Sequence, residues 1–269
     1  MLFIKLGGSL ITDKTRPNTP RHDVLAQLAK EIYEFGYAPT QSKTQKPKSQ
    51  ILLGHGSGSF GHAAAKQYGT RDGVHHADGW RGFGHVSVAA AQLNRIVADA
   101  LFAAGVPVMS FLPSALVRCH DGCIVEMKSD GIEAALSHGL APLIMGDVAF
   151  DDVRGGTITS TEEEFAFLAQ TLPVTRVLLA GETEGVYERY PDGPILPRIT
   201  PANWQAIRGG VGASRGADVT GGMASKVGDM IKLVQAYPHL SIHIFSGLHP
   251  GNLTRVMAGE PLGTTIFNG

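Results

Sequence analysis

The chain has 269 residues, of which 43% are apolar and 17% charged, a balance that argues against intrinsic disorder and fits one large α/β domain or two small ones that share a sheet. With 23 basic and 24 acidic residues, the formal charge of −1 gives no basic field, so we expect neither nucleic acid nor a membrane surface as a partner. Cys119 and Cys123 are too few for a disulfide framework and the N-terminus has no signal-peptide pattern, so we expect a cytoplasmic protein.

Short apolar runs alternate with helical patterns along the whole chain. The pattern predicts strands at residues 2–6, 51–53, 106–111, 141–145, 174–180, 240–245 and 264–267. It predicts helices at 23–35, 86–104, 130–138, 162–172 and 222–237, a hairpin at 117–126 that turns at Asp121-Gly122, and a further turn at Gly155-Gly156. Several of the strands are wholly apolar, which is typical of a mostly parallel sheet covered by helices on both faces.

The first predicted strand runs into Gly7-Gly8-Ser9, with Lys5 and Lys14 on either side of this turn. A strand that ends in small residues frees backbone N–H groups to face an anion. Residues 8–15 approach the spacing of a Walker A loop, but Asp13 stands in place of its second glycine and would repel a phosphate, so we reject a P-loop. Phosphate binding and a plain tight turn with two surface lysines both remain open here.

The second predicted strand is followed by Gly56, Gly58 and Gly61 in the spacing G-x-G-x-x-G. A dinucleotide site would also need a second strand with an acidic residue about 20 positions further on, and residues 68–84 contain no apolar strand. NAD binding is therefore disfavoured, while a phosphate-binding nest at a helix N-terminus remains. His62 lies one turn into that helix, where it is either an ordinary histidine or an imidazolium donor to phosphate.

Three later segments carry weaker signals. Gly146-Asp147 follows a buried strand, at the sheet edge where open parallel sheets bind ligands, although an aspartate in a turn is the plain alternative. Residues 181–187 form a turn after another strand. The glycine-rich segment 208–226 ends at Lys226 near a helix start, where an anion would relieve the unfavourable macrodipole. Three lysines, three glycine-rich strand ends and one aspartate together predict an ATP-dependent phosphoryl transferase without a P-loop.

In this order the motifs K-L-G-G-S, G-x-G-S-F-G-H, G-D-V, G-V-Y and D-V-T-G-G-M-x-x-K resemble the amino acid kinase superfamily over almost the whole chain. Lys14, His62, Leu93-Asn94 and residues 146–151 make it similar to the isopentenyl phosphate kinases of that superfamily. The resemblance implies one α/β domain, an open three-layer αβα sandwich with a mostly parallel sheet, that forms a homodimer. It also implies phosphorylation of isopentenyl phosphate to isopentenyl diphosphate with ATP and Mg²⁺.

The resemblance further implies how the residues divide between the two substrates, with an acceptor lobe at 1–172 and a nucleotide lobe at 173–269. The catalytic residues would be Lys5, Lys14, His62, Asp147 and Lys226. The nucleotide would contact Lys5, Leu6, Gly7, Gly8, Ser9, Gly58, Glu182, Thr183, Tyr187, Gly222 and Lys226. The isoprenoid monophosphate would contact Gly56, Ser57, His62, Phe83, Val86, Gly146 and Thr161.

Three segments depart from the family pattern. Gly56-Ser57-Gly58 stands for G-G-G, Ser160-Thr161-Glu162 for S-G-D, and residues 181–185 for T-D-x-D-G. A backbone contact at Ser57 survives if its φ is negative.

The acceptor itself stays open among related chemistries. An isoprenoid tail needs apolar walls, which Trp80, Phe83, Val86 and Ala90 could supply, whereas polar walls would favour a fosfomycin-type phosphonate kinase. A non-catalytic nucleotide sensor is disfavoured because no phosphate lysine is lost. An amino acid carboxylate kinase is disfavoured because no acidic cluster for an ammonium group is evident.

Overall fold

The structure, a computed structural model, describes residues 1–39, 50–190, 192–211 and 222–269, with the side chains of all of these except His62 and Ala63. The glycine-rich stretch 212–221 and the His62 side chain, both singled out in the sequence, therefore lie outside the described part of the chain.

Twelve strands and ten helices occur within the described residues. The strands are β1 (Leu2–Leu6), β2 (Ile51–His55), β3 (Val108–Ser110), β4 (Val117–His120), β5 (Cys123–Met127), β6 (Ala141–Met145), β7 (Asp147–Asp151), β8 (Gly155–Thr159), β9 (Arg176–Gly181), β10 (Arg198–Ile199), β11 (Ser241–Ser246) and β12 (Thr264–Ile266). The helices are α1 (Gly8–Ile11), α2 (His22–Gly36), α3 (Gly58–Tyr68), α4 (Ala77–Ala103), α5 (Pro113–Leu116), α6 (Asp130–Ser137), α7 (Thr161–Leu168), α8 (Pro201–Ile207), α9 (Gly222–Ala236) and α10 (Asn252–Ala258).

Eight strands form one sheet in the order β10-β12-β11-β9-β1-β2-β6-β3. Strand β12 runs antiparallel to β11. Strands β9, β1, β2, β6 and β3 pair in parallel with one another in that order. The expected mostly parallel α/β sheet is thus confirmed. A smaller sheet, β5-β4-β7-β8, is not hydrogen-bonded to it but shares an apolar cluster with it. Strand β1 is central and joins strands from the two halves of the chain, since β2 lies on one side and β9 on the other.

Side chains of the central strands alternate between the two faces of the large sheet. Ile4 and Leu6 of β1 pack into the apolar cluster that contains the buried faces of α2, α4 and α10, whereas Phe3 packs into the cluster of α7 and α9. Because successive side chains of a strand point to opposite faces, Lys5 shares the side of Phe3. Strand β1 therefore directs one lysine toward the α7–α9 layer.

The predicted hairpin at 117–126 is confirmed, with Asp121 and Gly122 at φ 45° and 81° between β4 and β5. The turn predicted at Gly155-Gly156 is wrong, because these two residues begin β8 and pair with β7. The chain instead reverses at residues 152–154, where the Asp151 carboxylate accepts the N–H groups of Val153 and Arg154 at 2.9 and 2.7 Å. The aspartate holds the backbone ahead of it in the turn, and Gly155 closes the turn at φ 72°.

Two further boundaries differ from expectation. The helix predicted from residue 86 begins at Ala77. Its first turns were missed because Gly79, Gly82 and Gly84 interrupt the helical pattern of the sequence. Gly82 is needed there because a Cβ would overlap the Tyr68 ring of α3. The strand predicted at 106–111 is only Val108–Ser110, between Pro107 and Pro113. β10 and α8 were not predicted.

By length and composition alone, α4 is apolar enough to cross a membrane. Its Leu93, Val97 and Leu101 are buried in the same cluster as α2 and β1. The apolar character of α4 is therefore that of a core helix.

Glu31 of α2 anchors the start of α10. Its carboxylate accepts the N–H groups of Gly251 and Thr254 at 3.0 and 2.9 Å and is almost fully buried. We expect Glu31→Gln to lower the free energy of unfolding by about 1–3 kcal/mol, because a buried N–H loses a charged acceptor. Urea unfolding measures this, with Glu34→Gln as the control on the exposed side of α2. Equal stability of both variants would contradict this role.

Candidate active site

A cavity of about 320 Å³ opens where β1, β2, β6 and β9 end. Their carboxyl ends meet at one edge of the parallel sheet, which is where open α/β sheets bind ligands. Most of the site residues named from the sequence line this cleft: Lys5, Gly7, Gly8, Ser9, Lys14, Gly56, Ser57, Val86, Gly146, Asp147, Thr161, Glu182, Thr183, Tyr187 and Lys226.

Four predicted residues do not line the cleft. Leu6 is buried in the core at the end of β1, and Gly222 is buried at the start of α9. Gly58 lies behind the turn at φ 52°, against Gly8. Phe83 is a correction: its ring packs 5.3 Å from the Trp80 ring and 5.2 Å from the Phe150 ring, centroid to centroid. Phe83 therefore lies behind the cleft wall, packed in one apolar cluster with Ala65 and Val86, and Val86 and Ala90 line the cleft itself.

The two glycine turns at the ends of β1 and β2 are in direct backbone contact. A Cβ on Gly8 would lie 2.5 Å from the Gly58 nitrogen, and a Cβ on Gly56 would lie 2.9 Å from the Gly8 nitrogen. Ser57 adopts φ −74°, so the condition for a backbone contact at this position is met. The N-cap residues of α1 and α3, which begin in these turns, make no side-chain cap, although the Thr12 hydroxyl accepts the Ser59 N–H of α3 at 2.9 Å. Uncapped helix starts favour an anion.

Lys5, Glu162 and Lys226 form a charge group on the α7–α9 side of the cleft. Lys5 is almost fully buried and forms an ion pair with Glu162, while the Lys226 ammonium lies 4.0 Å from the other oxygen of the same carboxylate. Burial lowers the pKa of Lys5, and Glu162 opposes this. Burial by itself would raise the pKa of Glu162, but the two lysines bring it down to about 2. The carboxylate therefore stays charged and holds both ammonium groups beside the glycine turns.

Glu162 is the main site residue that the sequence reasoning did not select. It entered only as a departure from the family pattern, although it directly follows Thr161 at the start of α7. A signal was available, because Ser160 and Glu163 form a capping box that fixes this helix start. Thr161 itself is buried, and its hydroxyl donates to the His55 carbonyl at 2.7 Å, so its side chain ties α7 to β2.

Acidic groups also lie in the floor of the cleft. Asp147 is buried, accepts the Val148 N–H at 2.8 Å, and has its pKa raised by burial. Glu164 lies behind it, accepts the Thr159 hydroxyl at 2.8 Å, and has a pKa raised well above its usual value by burial and then by the Asp147 charge.

The opposite wall comes from the loop after β9. Glu182 forms an ion pair with Arg21 at 2.8 Å, which connects this loop to the start of α2. Tyr187 stacks edge-on against Tyr190, with ring centroids 5.7 Å apart. Thr183, which was also predicted to contact the nucleotide, lines the same wall of the cleft. Arg21 was not identified from the sequence.

The cleft is apolar at its α4 end, where Ala65, Val86, Ala90 and Ile158 line it. Among the described residues, no group of three or more His, Cys, Asp or Glu side chains could hold a metal ion. The carboxylates of Glu162 and Glu182 already face cations. The site thus combines donors for anionic groups with one apolar wall.

The amino acid kinase family matches residues 1–246 of the chain. The chain is 32% identical to the isopentenyl phosphate kinase of Methanocaldococcus jannaschii, across 99% of this chain and 98% of that protein. It is 34% identical to the isopentenyl phosphate kinase of Haloferax volcanii, across 99% and 98%. Solved X-ray structures of isopentenyl phosphate kinase share its fold with a TM-score of 0.78, at 28% identity and 99% coverage of both chains. The similarity thus includes both halves of the cleft.

The charge on Glu162 should set the alkaline limit of activity. We expect activity to require Lys5 as a cation and to fall as the pH rises through its pKa. Glu162→Gln removes the carboxylate that raises this pKa, so the alkaline limb of kcat/KM should move to lower pH. The matched control is Glu163→Gln, which changes the next carboxylate and leaves the Lys5 ion pair in place. An alkaline limb unchanged by Glu162→Gln would contradict the assignment.

Proposed function

Because the chain belongs to the amino acid kinase family, we propose that it transfers the γ-phosphoryl group of ATP to isopentenyl phosphate and forms isopentenyl diphosphate. The relatives that match at 32% and 34% identity over their full length carry that activity in their names. The observation that carries the proposal is the cleft itself, in which glycine turns and two paired lysines continue into an apolar wall. Such a cavity fits a phosphate with a short hydrocarbon tail.

The proposed reaction requires positioning and charge neutralisation. An oxygen of the acceptor phosphate forms a bond to the γ-phosphorus of ATP, and the bond from that phosphorus to the β-phosphate oxygen breaks to release ADP. A phosphomonoester is largely dianionic at neutral pH, since its second pKa is about 6, so no side chain needs to remove a proton. Lys5, Lys14 and Lys226 would stabilise the charge that moves between the two phosphates.

The remaining assignments follow from the same proposal. Gly7, Gly8 and Ser9 would hold the phosphates of ATP, and Glu182, Thr183 and Tyr187 would flank the nucleotide, in a lobe formed by residues 173–269. Gly56, Ser57 and Gly146 would hold the acceptor phosphate in the lobe 1–172. His62 would donate to the same phosphate, and Asp147 would lie beneath it. A homodimer in the cytoplasm completes the proposal.

A magnesium ion would arrive with the nucleotide and be held mainly by its phosphates. Magnesium in phosphoryl-transfer sites keeps several waters and is bound mainly by substrate phosphates with one or two carboxylates. No cage of three or more ligands exists in the described part of the chain, and the carboxylates on the walls pair with Lys5, Lys226 and Arg21. Bound in this way, the ion would neutralise charge on the β- and γ-phosphates.

A turnover assay with ATP and alternative acceptors tests the proposal. We expect isopentenyl phosphate to be phosphorylated with a far higher kcat/KM than fosfomycin, glutamate or UMP. Lys14→Ala and Lys226→Ala should each lower kcat, because each variant loses about 2–4 kcal/mol of transition-state stabilisation. The melting temperature of neither variant should fall by a comparable amount of stability. Preference for fosfomycin, or near-normal turnover of both variants, would refute the assignment.

The apolar wall should control the fit of the hydrocarbon tail. Ala90→Leu adds bulk to this wall and should lower kcat/KM for isopentenyl phosphate, while Val86→Ala should improve kcat/KM for a ten-carbon monophosphate relative to the five-carbon one. One or two methylene groups change such discrimination by about 1–3 kcal/mol. Val88→Ala, on the exposed side of α4, is the matched control. The same five- to ten-carbon preference in all three variants would place the tail elsewhere.

A further inference from the structure

His55 ends β2 directly before the glycine turn, and it is fully buried. Its Nδ1 lies 3.0 Å from the carbonyl oxygen of Gly56, and its Nε2 lies 3.1 Å from the side-chain nitrogen of Asn94 in α4. The chemistry proposed above does not use this ring. Asn94 is also buried, in the interior of a helix where asparagine has a poor propensity. Helix formation therefore does not explain asparagine at this position.

The contacts determine which ring nitrogen carries the proton. A carbonyl oxygen only accepts hydrogen bonds, so Nδ1 donates to Gly56. Burial lowers the pKa of His55 to about 4. The hydrogen bond to Gly56 acts in the opposite direction and raises this pKa, whereas the nearby Lys5 charge lowers it further. The ring is therefore neutral. Nε2 is then an acceptor, and the amide of Asn94 presents its N–H group to it.

The same hydrogen bond sets the direction of the next peptide group. In a planar trans peptide the N–H points opposite to the C=O. The Gly56 carbonyl points at the buried ring, so the Ser57 N–H points the other way. Gly56 and Ser57 both line the cleft, and the Gly56 N–H is fixed on the Leu6 carbonyl at 3.1 Å. The Ser57 N–H is therefore directed at the cavity.

We propose that His55 and Asn94 are positioning residues that hold the Ser57 N–H toward the acceptor phosphate. His55 acts through the hydrogen bond from Nδ1 to Gly56, and Asn94 acts by occupying Nε2 so that the proton stays on Nδ1. Neither side chain touches the substrate. The inference rests on the proposed function, because that function supplies the phosphate.

Nitrogen NMR of the ¹⁵N-histidine-labelled wild-type protein tests the geometry without any substrate. The His55 signals are assigned by their loss in His55→Asn. We expect a protonated Nδ1 and an unprotonated Nε2 that persist at neutral pH. A proton on Nε2, or an imidazolium at neutral pH, would overturn the inference.

Kinetics of paired variants test the positioning role. Asparagine carries its amide nitrogen on Cγ, as the ring carries Nδ1, so His55→Asn keeps a donor for Gly56, whereas His55→Gln places its amide one bond further out. We expect His55→Gln to raise the KM for isopentenyl phosphate about tenfold, the value of one well-placed hydrogen bond, with a smaller rise in His55→Asn. The KM for ATP should change little in either variant.

The control is His243→Asn, which alters a second buried histidine that does not line the cleft. It should leave both KM values unchanged, with thermal melts to compare folding. If the His55 variants fold poorly, Asn94→Leu removes the donor to Nε2 and should still raise the acceptor KM more than the ATP KM. Equal changes in both KM values, or His55→Asn as impaired as His55→Gln, would overturn the inference. A wild-type protein inactive on isopentenyl phosphate would instead refute the proposed function.

Discussion

The backbone contact between Gly8 and Gly58 is the constraint on which the cleft depends. Strands β1 and β2 are adjacent and parallel, so their carboxyl ends reach the same edge, and each chain turns there into a helix. A Cβ on Gly8 would approach the Gly58 nitrogen to 2.5 Å, which no packing adjustment of a side chain could relieve because both groups are backbone. Glycine at these positions lets two helix starts converge on one small volume, which is the geometry that two adjacent phosphates need.

Charge balance is the second requirement. Lys5 and Lys226 both face this volume, and the Lys226 charge lowers the pKa of Lys5. Glu162 lies between them and stays ionised because its pKa is about 2. A buried cation without a counter-ion is costly, and Lys5 is almost fully buried. Glu162 opposes the lowering of the Lys5 pKa and holds both ammonium groups in place, so the field that would stabilise a transferring group is preorganised.

A feature of the fold or of the site could be predicted from the sequence when its signal lay within one short stretch of residues. The glycine turns, the buried strands and the lysines after or within them follow from short motifs, and the structure brings nearly all of them to one cleft. Glu162 was passed over because its meaning depends on Lys5, which lies far away in the chain. Phe83 was misassigned because helical spacing fixes a face of α4 but not how far the cleft extends along it. The β7–β8 turn was misplaced because Asp151 holds the turn in the residues before the two adjacent glycines, on which the prediction had rested.

Two of the three departures from the family pattern add a side chain that packs against a neighbouring glycine. Ser57 replaces a glycine in the nest, and its side chain packs over Gly61, where a Cβ would lie 2.8 Å from the Ser57 Cβ. Thr161 replaces another glycine, and its methyl group fills the space above Gly54, where a Cβ would overlap it. Its hydroxyl also donates to the His55 carbonyl. The Thr161 side chain is thus buried, and Ser57, which lines the cleft, keeps a φ of −74° that glycine would also allow.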